Sequence, residues 1–414
     1  MQEFCVINMK YTESYLGRQG DGRMMNKVYC GAVKLGEQIE QDIERMQIEV
    51  VELVKAICTI PAPSHYEGRR AAFVRDWFES HGIDAQIDEA LNVYCEWGLE
   101  DHEEIVVVMA HMDTVFPDTE PMDVYEKDGK VFGPGIGDNA SNLAAMMCIA
   151  VYLKNKGYQP NCGILFVADS CEEGLGNLKG CKAIMNAYGD RVKAFVCMDS
   201  TSQSVCVRAV GSSRYKITVE TQGGHSFSDF GRRSAIEAIA QIIGDFYKQN
   251  VPQAEGCITT FNVGKISGGT SVNTIAQKAE MLYEYRSDSM KCLSVMEAQM
   301  REILLAHRSR DAKISVKRLG ERPGMGEVDQ QKQAMLEESA CAALAHYTGV
   351  VPTLRSGSTD SNVPLSMGVP SVCFGVYRGE GAHTREEWIE PDSICSGMKA
   401  ALSLLIFWFD HKQP

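Results

Sequence analysis

None of the 15 cysteines in this 414-residue chain stands in a CxxC pair. Several lie inside apolar runs instead, among them Cys148, Cys162, Cys197 and Cys373, where a thiol packs as a small hydrophobe. An odd number without framework spacing argues against a disulfide scaffold and for a reducing, cytoplasmic setting. No apolar run reaches the roughly 18 residues that cross a bilayer, so no membrane partner is expected. The N-terminal stretch has no continuous apolar core of the kind a signal peptide needs. Positive charge is in deficit: 41 Lys and Arg against 55 Asp and Glu leave a net charge of −14. That balance, with no basic stripe, argues against a nucleic-acid partner. Repeats and low-complexity tracts are absent as well.

What is present is an ordinary globular composition, 44% apolar, in a chain long enough to favour two domains. Residues 1–36 read as an extension of unassigned role. From Gly36 a helical period runs through Ile39, Ile43, Met46, Val50, Leu53 and Ile57. Apolar runs at 105–110, 163–168 and 194–198 alternate with helical patterns, the order of a mostly parallel sheet. Near Gly211 the style changes. Segments of period two and helical segments then follow as β-α-β-β-α-β, the ferredoxin-like order. The buried-strand style returns at PSVCFGVY (370–377). The expected architecture is therefore an α/β domain, 37–210 with 320–414, interrupted by an α+β domain at 211–319.

Acidic and imidazole side chains gather where the apolar runs end. His111 and Asp113 follow the first, Glu172 and Glu173 the second, Asp199 the third, and His383 comes after SVCFGVY. In open α/β sheets ligands bind beyond the carboxyl ends of the strands, so these groups are expected at one edge. Asp138, just before a helical pattern, reads as an N-cap, a position that also aims its carboxylate outward. Adjacent carboxylates at Glu172 and Glu173 repel unless something positive sits beside them. In a metal site one would bind the ion and the other would serve as base. His65, His81, His102, His307, His346 and His411 lack such a context.

HMDTV, GD, EEG, the strand-end Asp199 and AHTREEW, in this order, resemble the co-catalytic zinc metallopeptidase family of aminoacylase, acetylornithine deacetylase, succinyl-diaminopimelate desuccinylase and glutamate carboxypeptidase. The likeness spans roughly residues 45 to 410. It implies a phosphorylase/hydrolase-like metallopeptidase domain with a lid and dimerisation domain inserted. It implies two divalent ions, zinc first and manganese or cobalt as alternatives. His111 and Asp199 would bind one, Glu173 and His383 the other, and Asp138 both. Glu172 would be the general base, and Asp113 would orient His111. The resemblance also implies a cis peptide after Asp138. It implies a transition-state role for His225 in GGHS, substrate contacts from Asn273 and Arg286, and a carboxylate pocket at Gly357 and Ser358. The expected substrate is a short peptide or an N-acyl amino acid, the expected assembly a homodimer. A catalytically silent binding protein on the same fold is the alternative from another class. Two departures stand out. Asn139-Ala140-Ser141-Asn142 replaces the family's usual run after the bridging aspartate, and the loop after His225 lacks its usual proline and is a residue shorter.

Overall fold

A computed structural model describes residues 32–410. Of the expected N-terminal extension, residues 1–31 lie outside the described residues, as does His411. The chain divides into two compact units, one running up to Val207 and resuming at Glu327, the other Arg208–Gly326.

The first unit is built on an eight-stranded sheet. Its hydrogen-bonded order is Gln86–Ile87, Val93–Trp97, Gly163–Asp169, Ile105–His111, Val192–Met198, Ser371–Phe374, Ser204–Ala209 and Thr353–Gly357. The four central strands run parallel, with Val106 opposite Ile164 and Ala194, and Cys373 opposite Cys197. All four are buried at every position. Strands covered on both faces need apolar side chains on both sides, which is why they read as unbroken apolar runs. The strand Val93–Trp97 pairs antiparallel with Gly163–Asp169, and Ser204–Ala209 meets Ser371–Phe374 antiparallel. Ser204–Ala209 and Thr353–Gly357 are short, and no periodic signal marked them.

Helices cover the sheet. Gln47–Thr59, Asn142–Asn155, Gln330–Thr348 and Ser393–Asp410 contribute to one core cluster with one face of the central strands. The last helix corrects an expectation: it is 18 residues long, with mean hydropathy 1.3. Fully 83% of it is buried inside the protein, so its apolar character is that of a core helix.

The second unit has the expected order of strand, helix, two strands, helix and strand. These are Gly211–Thr221, Ala235–Phe246, Thr259–Gly268, Lys278–Ser287, Met290–Ala306 and Ala312–Arg322. Its four-stranded sheet runs Thr259–Gly268, Lys278–Ser287, Gly211–Thr221, Ala312–Arg322, with every neighbour antiparallel. Both helices pack on the buried face through Ile239, Ile242, Phe246, Met296 and Met300. The last strand runs to Arg322, past the boundary at 319 drawn from the sequence. Its alternation breaks at a register shift between Arg318 and Gly320, which hid the final residues.

Candidate metal centre

The parallel strands deliver their polar ends together. His111 closes its strand, and its register partner is Asp169 on the neighbour. Two residues past Asp169 the chain turns through Cys171 into Glu172 and Glu173, both buried. Asp199 follows Met198 directly, and its N–H donates to the Phe374 carbonyl at 3.1 Å. His383 lies nine residues beyond the end of Ser371–Phe374, on the loop between strands Arg378–Glu380 and Trp388–Glu390. It belongs to a small second sheet, not to the lip of the large one.

Asp138 joins the two imidazoles. Its Oδ1 is 3.0 Å from His111 Nε2, and its Oδ2 is 3.1 Å from His383 Nε2. His383 Nε2 also lies 3.1 Å from Glu173 Oε1. Donor atoms of His111, Asp138 and Asp199 lie within 4.8 Å of one another, as do those of Asp138, Glu173 and His383. Those of His111, Glu172 and Glu173 form a third such group. Asp138 does not cap a helix: it lies in the tight turn Ile136–Ser141 with φ −101° and ψ 84°, and Ser141 precedes the helix Asn142–Asn155. Its carboxylate is engaged by the imidazoles instead. The Asp138–Asn139 peptide is cis, as the resemblance implied.

Glycines shape this turn. Gly135 adopts φ +77°, and a Cβ on Gly137 would come within 2.6 Å of the Tyr377 ring. The departure at Asn139 and Asn142 now has a physical account. Asn139 Nδ2 donates to the Met198 carbonyl at 2.9 Å. Asn142 Nδ2 donates to Asn139 Oδ1 at 2.7 Å and to the Ser200 carbonyl at 3.0 Å. Val376 N–H donates to Asn142 Oδ1 at 2.8 Å. The two buried amides thus tie the Asp138 turn to the ends of two strands.

Buried carboxylates also hold the turn at 171–173. Asp113 Oδ1 accepts the Glu172 N–H at 2.9 Å, and Oδ2 accepts the Glu173 N–H at 3.0 Å and the Ser64 hydroxyl at 2.6 Å. The close sequence spacing of His111 and Asp113 works because the strand ends at His111, whose Nδ1 lies 3.0 Å from the Asp113 carbonyl. Glu67 accepts the Cys171 N–H at 3.0 Å and the Cys171 thiol at 3.2 Å. His65, assigned no role from sequence, lies with Nδ1 3.3 Å from that thiol. Cys171, Ser200 and His383 all adopt positive φ, at 60°, 71° and 65°. Such backbone costs on the order of 1–3 kcal/mol per non-glycine residue and persists where the surroundings enforce it.

The electrostatics favour a cation. Hydrogen bonds to Asp138 and Glu173 push the His383 imidazole up to about 11. Burial opposes charge on His111, yet its bonds to Asp113 and Asp138 hold it well above the usual histidine range. Burial likewise opposes charge on Asp138, and the same two imidazoles hold it below the ordinary carboxylate range. Burial, then the charge of Asp138, push Asp199 up to about 6. Four carboxylates therefore draw positive charge onto both imidazoles. A donor set of carboxylate oxygens and imidazole nitrogens at this spacing fits two divalent ions.

In the second unit His225 and Asn273 come together: His225 pairs with Thr274, and the Ser226 N–H donates to the Asn273 carbonyl at 3.0 Å. His225 Nδ1 accepts the Phe227 N–H at 3.2 Å, so a neutral ring carries its proton on exposed Nε2. Asp229 braces this loop, with Oδ2 accepting the His225 N–H at 2.8 Å. Arg286 is held by Glu284 through two bonds of 3.1 Å. In the first unit Gly357 ends strand Thr353–Gly357, Ser358 follows it, and the Thr359 N–H donates to Asn362 Oδ1 at 3.0 Å. Sequence reasoning missed Arg355, whose charge acts on Asp199.

These features define a class: an α/β protein that gathers imidazole and carboxylate side chains, in groups that could hold metal, beyond the carboxyl ends of a parallel sheet. Residues 107–406 match the model of peptidase family M20/M25/M40, and the chain belongs to that family. It is 22% identical over 259 residues to a probable carboxypeptidase of Aspergillus flavus, covering 56% of this chain and 62% of that protein. It is 23% identical over 209 residues to a probable succinyl-diaminopimelate desuccinylase of Staphylococcus aureus, covering 48% of this chain and 50% of that one. The matches thus span between half and two thirds of these relatives. The fold is similar to that of the aminopeptidase PepT of Bacillus cereus, with TM-score 0.69 at 22% identity, covering 87% of this chain and 98% of that one.

Proposed function

We propose that this protein is a dinuclear metallohydrolase that cleaves an amide bond next to a free carboxylate, as an exopeptidase on short peptides. The observation that carries the reading is the pair of donor groups sharing Asp138, with Glu172 in the third group beside them. His111, Asp138 and Asp199 would hold one ion, and Asp138, Glu173 and His383 the other. Zinc suits this nitrogen and oxygen set, with manganese or cobalt as substitutes. When bound, the ions would polarise the scissile carbonyl and acidify a water.

The remaining chemistry falls to the chain's own groups. The Glu172 carboxylate takes a proton from the attacking water and returns it to the leaving nitrogen. Asp113 fixes the backbone of both Glu172 and Glu173. By the resemblance, His225 Nε2–H donates to the developing oxyanion, Asn273 contacts substrate near the scissile bond, and Gly357 and Ser358 line its carboxylate pocket. Arg286 binds the substrate carboxylate bidentately, in competition with Glu284. The buried thiols suit a reducing cytoplasm. Deacylation of N-acyl amino acids is the second reading, favoured by the desuccinylase relative.

The test is turnover on a panel. Chelator-stripped protein is restored with zinc, manganese or cobalt and assayed on di- and tripeptides beside N-acetyl and N-succinyl amino acids. Cleavage of peptides alone supports the exopeptidase, cleavage of acyl amino acids alone the deacylase. No turnover on either class counts against both.

We also propose a homodimer through the second unit. Strand Thr259–Gly268 ends its sheet, is exposed along most of its length, and pairs on one side with Lys278–Ser287. An open edge of that kind is a template for a second copy. Light scattering is expected to give twice the chain mass, and replacing Ile266 with lysine should shift it to the monomer. A wild-type monomer would exclude this assembly.

A further inference from the structure

We infer that Glu387 is a positioning residue for Asp138, stapling the turn that carries Asp138 to the segment that carries His383. The inference rests on the proposed metal centre and goes beyond it, because Glu387 would touch neither ion nor substrate.

Glu387 is 1% exposed. Its Oε2 accepts the Gly135 N–H at 2.7 Å, and its Oε1 accepts the N–H groups of Gly137 at 3.1 Å and Asp138 at 2.8 Å. Its own carbonyl accepts the Gly133 N–H at 3.0 Å. Four backbone donors of the stretch 133–138 therefore end on this one residue.

The turn needs such a partner. Gly135 is left-handed and Asp138 is neither helical nor extended, so regular secondary structure cannot take up these N–H groups. Buried, each would cost free energy without an acceptor. The chemistry also specifies the side chain. Three converging donors on two oxygens require a group that accepts at both. A carboxyl group offers an accepting oxygen on each side, whereas an amide would turn its NH2 against one of the donors.

The staple also reaches the segment that carries His383, one of the two imidazole partners of Asp138. Glu387 lies four residues beyond His383. The residues after it, Trp388 and Ile389, pair with Phe132 and Val131 just ahead of the turn. Asp138 Oδ2 and His383 Nε2, 3.1 Å apart, are thus fixed by a common anchor. Since the Asp138 N–H is itself one of the donors, loss of the carboxylate would loosen the residue that both ions share.

The test compares Glu387→Ala and Glu387→Gln with wild type in the full chain. Zinc affinity is read by competition with a chromogenic chelator, alongside kcat, KM and Tm. Gln333→Ala is the control: it removes another buried clamp, in which Gln333 bonds the N–H and carbonyl of Ser371 at 3.0 and 2.9 Å. Glu387→Ala is expected to weaken zinc affinity and kcat by about 10–100-fold, the usual effect of losing a group that orients a metal ligand, with KM little changed. Glu387→Gln, which keeps one accepting oxygen, should fall between. It carries the test alone if the alanine variant does not fold. The control should lower Tm and leave zinc affinity intact. Wild-type affinity in either Glu387 variant would overturn the proposal, as would an equal loss of affinity in the control. Absence of zinc binding by the wild type would instead overturn the metal centre itself.

Discussion

Asp138→Ala is expected to abolish binding of both ions at once. Its two carboxylate oxygens lie 3.0 and 3.1 Å from the imidazoles of the two donor groups, and no other side chain belongs to both of these groups. The loss should exceed the roughly 10–100-fold expected for an outer residue such as Glu387. Asp199→Ala should weaken mainly the ion held with His111, and Glu173→Ala mainly the one held with His383. The fold should survive, because the Asp138 side chain contributes no apolar surface to the core. A metal titration with circular dichroism on the same samples reads both outcomes. Two ions retained by Asp138→Ala would remove the bridge from the account.

Glu172→Ala is expected to separate binding from chemistry. The variant should keep its metal, because Glu173, Asp138 and His383 form one donor group and His111, Asp138 and Asp199 another without it. Turnover should drop by about 10²–10⁴-fold, the contribution of a positioned general base. The backbone geometry should hold, since Asp113 bonds the N–H groups of 172 and 173 and not their side chains. Glu172→Gln should fail equally, because an amide fills the volume but cannot take the proton. Near-normal kcat in either variant would move the base elsewhere.

The central strands were legible because burial on both faces leaves a one-sided record: Ile105–His111, Gly163–Asp169 and Val192–Met198 are buried at every position and apolar except at His111, Asp169 and Lys193. The strand ends were legible for the complementary reason, that charge directly after such a run has few structural uses. The second unit showed its order through period two and helical spacing, up to the register shift at 318–320. What stayed hidden acts through the backbone. Glu67 and Glu387 meet peptide N–H groups more than a hundred residues away, and no local pattern marks a side chain for that role. AHTREEW drew notice for His383, and its second glutamate is the one that braces Asp138. Asn139 and Asn142 looked like departures and are the amides that tie the Asp138 turn to the strand ends. His383 reaches the site from the loop between strands Arg378–Glu380 and Trp388–Glu390 rather than directly from the end of Ser371–Phe374, a route no local pattern marks.

The most direct measurement is metal content per chain by mass spectrometry, on protein stripped with chelator, restored with zinc and freed of excess. The account predicts about two ions per wild-type chain, the number its paired donor sets can hold, and none in Asp138→Ala. A wild-type chain that takes up no metal, or an Asp138→Ala chain that still takes up two, would contradict it.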